Sequence, residues 1–551
     1  MVTHAAPAAE PPGGAGLGPD PVTNDQGADG SASPVYDRMR RLAQATLVVL
    51  TGFLASRLLG VVRNMVIAAH FGTGNEYSAY LAAIAVPDTV FQVLVGGAVG
   101  SAFIPVFQRY LARGDENEAW RLTSSVINFG VLLAGGTAVI LGAFARPLMD
   151  VLLVGNQDPE FRDLAASLTR ILLISPAIFA ASTFCASVLN SYHRFAVAAL
   201  APLMYNLAII GGAVLLSGPL GIRGLAIGAV VGAGLHLLVQ VPALAQIHMR
   251  WRPIVDLRQS GVREVARLFT PRVLGLGAVQ LNKVLSTVLF ASFLVQGSMA
   301  YLDYAWLMIM TPLALAMAVG TAVFPTLSQS GTLNRQGQLQ QVFLVSLRMV
   351  LFVTIPASVG LMVLGQPVIR LFFERREFTA VSTEATAYAL SFFAIGLAGH
   401  ATVEIVDRVF YALHDTRTPV LVAVAAIVLN VLCSLVLMRT PLNYGGLALA
   451  NSIAALAEAG ILVHLVARRL PGLPAGELGV TALRILAGSL VMGLPVAWLA
   501  AWMESSLGRY GTLGEALAVL TCVVAGAAIY ALASYLFQSD ELTVLRRLAR
   551  R

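Results

Sequence analysis

Ser56-Arg57-Leu58-Leu59-Gly60-Val61-Val62-Arg63-Asn64 places two arginines inside the first long apolar stretch of a 551-residue chain. A charge near the centre of a bilayer costs at least about 2.5–3.5 kcal/mol on insertion scales, so such a side chain faces a polar interior rather than lipid. The pair therefore points to a water-filled cavity built for an anion. Six residues of ideal helix give about 9 Å of rise and about 240° of turn, so Arg57 and Arg63 share a face only if the helix bends. Gly60 lies midway and permits a bend. At least one of the two arginines is expected to reach the cavity.

Composition sets the class. The chain is 57% hydrophobic and only 12% charged, and nearly charge-free windows of about 20 residues recur along it. These features define an all-α polytopic membrane protein. The formal charge of +7 is a topology signal, because basic residues such as Arg250, Arg252, Arg258, Arg263 and Arg267 cluster in short links between apolar runs. Nothing resembles a basic face for nucleic acid. Cys185, Cys433 and Cys522 sit singly in apolar runs and read as small core residues. Residues 1–40 read as a disordered cytoplasmic tail, poor in large apolar side chains over 1–35. They lack the basic start and short apolar core of a signal peptide, so the first span is expected to stay in the mature protein.

Fourteen spans are read, near 44–70, 77–107, 123–154, 164–190, 197–217, 223–247, 268–294, 299–328, 341–364, 383–412, 419–438, 445–467, 481–503 and 512–537. Arginine concentrates in the links on the side of the N-terminus, which places both termini in the cytoplasm, residues 541–551 forming a basic tail. The chain also repeats itself. Gly100, Ala102 and Pro105 recur as Gly320, Ala322 and Pro325, and Pro219, Gly224, Leu225 and Ala226 as Pro441, Gly446, Leu447 and Ala448, at offsets of 220 and 222. Six spans per repeat is even, so two six-helix lobes, 41–255 and 256–470, are expected about a pseudo-two-fold axis along the membrane normal. The last two spans, within 471–540, fall outside the repeat.

Energy coupling by nucleotide is excluded, because the phosphate-binding loop needs a lysine followed by Ser or Thr, and the single lysine, Lys283, precedes Val284. No H-E-x-x-H, G-x-S-x-G or C-x-x-C pattern occurs, so the chain does not read as an enzyme. Lys283 lies mid-span among Gln280, Asn282, Ser286 and Thr287, either in a structural ion pair or facing the first helix across a cleft. Asp88, Asp303, Glu404 and Asp407 are intramembrane carboxylates that can pair with arginine, including Arg408, or take up a cation or proton. Asp415 and Thr416 suit a helix cap and Pro419 a first helical turn, an architectural role for this stretch around Arg417.

These residues resemble a known family. Ser56–Asn64, Leu189–Phe195 (LNSYHRF, with Asn190) followed by Pro202, Tyr205 and Asn206, and Phe410–Pro419 (FYALHDTRTP) are similar to the MurJ (MviN) family, from about residue 45 to about 540. That family sits in the multidrug, oligosaccharidyl-lipid and polysaccharide exporter superfamily. The resemblance implies a flippase that carries lipid II, a polyprenyl-pyrophosphate glycolipid, to the outer leaflet of the bacterial plasma membrane for cell-wall synthesis. It also implies a cationic cavity between two lobes and a groove for the polyprenyl tail at the last two helices, and it carries Arg57 and Arg63 over as contacts to the pyrophosphate or sugar head.

Two departures stand out. Phe91, Gln92 and Gly96 occupy positions in the second helix where many members carry charges, and Ala305–Met310 replaces an arginine and a glutamate of the eighth. The expected mechanism is alternating access with Arg57, Arg63 and Lys283 on the substrate. No cofactor is implied beyond a monovalent cation or the membrane potential. An inside-negative potential favours outward movement of an anion by about 2.3 kcal/mol per charge per 100 mV, and would draw an empty cationic cavity back. Expected partners are lipid II, membrane lipids and cell-wall synthesis proteins. The alternatives are a cation-coupled exporter of drugs or another polyprenyl-linked sugar, relying on the carboxylates, and a non-transporting membrane scaffold.

Overall fold

Glycine, proline and short polar links cut an otherwise apolar sequence into helices. The structure, a computed structural model, describes residues 34–536 apart from 97, 156, 157, 334, 474 and 508–510; among the described residues no strand occurs. The first bundle runs through α1 (Pro34–Phe71), α2 (Asn75–Leu94), α3 (Ala98–Ala112), α4 (Glu116–Ala143), α5 (Ala145–Leu152), α6 (Pro159–Leu172), α7 (Ser175–Ser191), α8 (Phe195–Gly211), α9 (Ser217–Leu220), α10 (Ile222–Leu238) and α11 (Val241–Gln246). The second comprises α12 (Ser260–Val284), α13 (Ser298–Thr332), α14 (Gln336–Phe373), α15 (Ala380–Ala412), α16 (Arg417–Leu437) and α17 (Tyr444–Arg469); α18 (Ala475–Leu507) and α19 (Gly511–Leu536) follow.

Thirteen helices among the described residues are long and apolar enough to cross a membrane, against the fourteen read from sequence. The difference is the seventh span. Among the described residues, the seventh span is represented by the shorter apolar segment Val279–Phe293, which carries Lys283. The second and third spans each break into two helices, α2–α3 and α4–α5. At the N-terminus, α1 begins at Pro34, a residue preorganised for a first helical turn; residues 34–40, read as tail, are therefore helical. Residues 1–33 and the basic tail at 541–551 lie outside the described residues.

Packing follows the apolar faces. In the second bundle α15 is the central helix, burying Leu390, Ala394, Leu397, Ala401, Ile405 and Val409 at helical spacing against α13, α14 and α17. In the first, α2 packs on α6, α4 on α7 and α8 on α10, while α18 and α19 pack on each other and on α14. The internal repeat is visible in the backbone. Gly221 (φ 56°) and Asn443 (φ 52°) stand 222 residues apart, each immediately before a helix. Three residues on, a Cβ on Gly224 would lie 2.6 Å from the backbone of Leu216, and one on Gly446 2.6 Å from that of Leu437, so both helix pairs approach at backbone distance.

One end of the cleft between the bundles is closed by direct contact. The α1–α2 turn seats Gly72 (φ 55°) against the turn before α15, where a Cβ would meet the Glu377 carbonyl oxygen at 2.3 Å. The Glu377 N–H donates to the Ala69 carbonyl at 3.3 Å, and the Thr73 and Ser382 hydroxyls share a 2.7 Å hydrogen bond. At the opposite end of the helices, residues 250–259 lie as an extended strap along α4. The N–H groups of Arg252 and Asp256 donate to Ser124 and Ser125 at 3.0 and 3.2 Å, and the Asn128 amide donates to the carbonyls of Arg252 and Ile254, both at 2.8 Å. Arg121 pairs with Asp256 at 2.6 Å, and Arg109 holds Glu264 of α12 through two 2.8 Å bonds. The strap thus delivers α12 onto α2 and α3, from where it also reaches α16.

Candidate functional site

α2 presents Tyr77, Tyr80, Ile84 and Asp88 at spacings of three and four, and α13 presents Met299, Asp303, Trp306 and Met310 likewise, so each offers one continuous stripe. The two stripes face each other with the ends of α1, α8 and α12 between them. They enclose a cavity of about 400 Å³, whose charged lining is Arg63, Asp88, Lys283 and Asp303.

Arg63 is held in a way that keeps its charge available. Its Nη1 donates to the Asn206 side-chain oxygen at 3.1 Å, while Nε and Nη2 donate to that of Asn64 at 3.2 and 3.1 Å. Carboxamide oxygens fix the planar fork without cancelling the cation. Lys283 differs, since its Nζ donates to Asp88 Oδ2 at 2.9 Å and the pair is a full ion pair between α12 and α2. Asp303 accepts a hydrogen bond from the Tyr77 hydroxyl at 3.2 Å, and Tyr77 is itself fixed by stacking on Tyr304 at 5.2 Å.

Of the residues singled out by sequence, Arg63, Lys283, Asp88 and Asp303 come together. Arg57, on another face of α1, is exposed and is not among the lining residues. Glu404 and Arg408 pair within α15 at 2.9 Å, with Gly320 of α13 leaving room for the guanidinium. Asp407, on the same helix, has a buried oxygen without a hydrogen-bond partner, within electrostatic reach of Glu458 of α17. Asn206, from the motif that carries the family resemblance, is a partner of Arg63, whereas Asn190 lies in the last turn of α7, where its carbonyl accepts from the His193 N–H at 3.1 Å. Asp415 caps α16, accepting from the N–H groups of Arg417 and Thr418 at 3.1 and 3.0 Å and from the Thr418 hydroxyl at 2.7 Å. Thr416 precedes the helix without a side-chain cap bond of its own, and Pro419 lies in its first turn.

Sequence reading missed Asn64, Tyr77 and Glu458. Tyr77 was legible as the start of the stripe that ends at Asp88. The expected cationic cavity is also altered, because two carboxylates line it beside the two cations. Among the described residues, no group of three or more His, Cys, Asp or Glu is placed to hold a metal ion. A second cavity, of about 750 Å³, lies between α13, α14, α18 and α19 and is lined almost wholly by apolar side chains, among them Pro312, Phe352, Leu361, Met492 and Val496.

A family model described as lipid II flippase MurJ matches residues 67–519, which include both stripes and the helices from α2 to α18. The chain belongs to the MurJ family. A probable lipid II flippase MurJ of Haemophilus influenzae is 30% identical over 435 residues, covering 75% of this chain and 84% of that one. The lipid II flippase MurJ of Burkholderia cenocepacia is 27% identical over 497 residues, covering 88% and 95%. Among solved structures, a lipid II flippase MurJ in an inward closed conformation superposes with a TM-score of 0.75 at 26% identity, covering 90% of this chain and 99% of that one. An inward-facing multidrug resistance MATE family transporter of the MOP superfamily shares the fold, with a TM-score of 0.64 at 15% identity over 78% of this chain and 98% of that one. MurJ membership and the helix pattern together make the chain a multi-pass membrane protein.

Proposed function

We propose that the chain carries lipid II from the inner to the outer leaflet of the bacterial plasma membrane by alternating access, with both termini in the cytoplasm. The observation that carries this reading is Arg63, a cation held by two carboxamides, bonded to no carboxylate among the described residues and opening on a cavity shared with Lys283. Such a guanidinium offers its remaining donors to a pyrophosphate in a fixed geometry. The apolar cavity between α13, α14, α18 and α19 suits the polyprenyl tail, whose burial follows the hydrophobic effect. With the N-terminus inside, the Gly72–Glu377 and Thr73–Ser382 contacts close the outer end, so the cavity is sealed from the outer face in this conformation. Rocking of the two bundles then breaks these contacts and releases the head group outward.

Arg63→Ala is expected to abolish rescue of a flippase-depleted bacterium, and arrival of lipid II in the outer leaflet, while membrane level and unfolding temperature stay unchanged. Full rescue by this variant overturns the reading. Greater damage from Asp407→Asn or Glu458→Gln than from Arg63→Ala favours a cation-coupled exporter instead.

A further inference from the structure

The ion pair between Asp88 and Lys283 joins the two bundles across the proposed substrate cavity. Asp88 stands on α2 of the first bundle and Lys283 on α12 of the second, and one hydrogen bond of 2.9 Å connects them. The lysine side chain is 55% exposed and the carboxylate 32%, so water reaches both. Exposed pairs of this kind are worth only about 0–1 kcal/mol, and an ammonium on a flexible stem exchanges partners more freely than a guanidinium locked in a fork. The residue choice fits this, because Lys283 is the single lysine in a chain with 36 basic residues. Arg63 across the cavity holds two carboxamides and, among the described residues, no carboxylate. The cavity therefore presents one ready cation and one that carries an internal anion.

We propose that Asp88 is a positioning residue that stands in for the substrate's pyrophosphate on Lys283 and is displaced by it. This rests on the lipid II reading above. A pyrophosphate dianion brought in by Arg63 takes the Lys283 ammonium from Asp88, and that exchange removes one of the polar links between the bundles, beside Tyr77–Asp303 and Thr73–Ser382. Loading of the cavity thus loosens the link between the bundles at α2 and α12. A singly charged carboxylate or sulfonate offers Lys283 no more than Asp88 already does and leaves the tie in place. The ligand chemistry is a pyrophosphate, free or lipid-linked.

The test uses the full chain in nanodiscs, with inorganic pyrophosphate and lipid II as separate probes, and spin labels on α2 and α12 reporting the distance between them. Asp88→Asn is expected to tighten pyrophosphate binding by about fivefold, the worth of an exposed ion pair, and to broaden the unliganded distance distribution as lipid II does in the parent. Asp88→Lys combined with Lys283→Asp restores the tie and the narrow distribution, which a merely local packing role does not predict. Asp88→Glu, which keeps the charge, behaves as the parent. If the parent binds lipid II while Asp88→Asn changes neither affinity nor distances, the displacement is overturned. If the parent responds to inorganic pyrophosphate and not to lipid II, the displacement stands and the lipid II reading fails.

Discussion

Arg63 of α1 and Asn206 of α8 are joined by a 3.1 Å hydrogen bond, 143 residues apart in sequence, in which a neutral amide rather than a carboxylate holds the guanidinium. The neutrality of that partner is the functional point. Asn206→Asp keeps the shape and adds a charge, so it is expected to lower lipid II binding and flipping by about tenfold or more, the size of a close charge pair in a shielded site. Asn206→Gln loses less. Binding to the purified chain and outer-leaflet lipid II in cells check both, and equal activity of the aspartate variant counts against Arg63 as an anion contact.

The closure at Thr73 and Ser382 predicts a lock. The two hydroxyls lie 2.7 Å apart, close enough for cysteines at these positions to reach disulfide geometry. Thr73→Cys with Ser382→Cys is expected to stop flipping under oxidising conditions and to recover it on reduction, with each single variant active throughout. Transport that continues through a complete cross-link refutes opening at this end.

The apolar cavity predicts a separation of head-group and tail binding. Ala527→Trp fills space between α14 and α19, and is expected to reduce lipid II affinity at least about tenfold while leaving the affinity for inorganic pyrophosphate unchanged. Equal losses for both ligands, read by the same titration, would place the tail elsewhere.

Asp415 lies between spans and predicts an acid-sensitive cap. Its hydrogen bond from the Thr418 hydroxyl, then those from backbone N–H groups and the Arg469 charge, hold its carboxyl below the usual carboxylate range. A carboxyl whose folded value is depressed stabilises the fold above its unfolded value, about 3.9, and loses that contribution as pH falls through the folded value. Asp415→Ala is expected to lower stability by about 1 kcal/mol at neutral pH. The gap in unfolding temperature from the parent should persist down to about pH 4 and close below it.

Much of the architecture is legible because glycine and proline mark the same points in both halves. Gly224 and Gly446 align by eye, and the backbone shows why, since each lets a helix start lie against the preceding one. The same correspondence continues where letters differ. Asn443 takes the left-handed conformation that Gly221 takes in the first half, and His193 and His414, 221 residues apart, both adopt φ 58°. Side-chain identity conceals this, because asparagine and histidine reach that region at some cost while glycine reaches it freely.

The cavity was legible only in part. Helix geometry alone separates Arg57 from Arg63, and the structure brings only Arg63 to the lining. Pairings across the bundles were not legible. Asp88 meets Lys283 over 195 residues, and Asp303 meets Tyr77 over 226, distances at which no helical or turn periodicity operates.

The strap along α4 bears on how the protein is made. Ser124 and Ser125 are fully buried beneath residues 250–259, so the polar edge of α4 is satisfied by chain that the ribosome adds more than a hundred residues later. Until that segment emerges, those hydroxyls turn to water, head groups or the carbonyls of their own helix, as Thr123 does. The first bundle therefore matures only once translation has passed its last helix, and the start of the second bundle is threaded into place by the same step that completes the first.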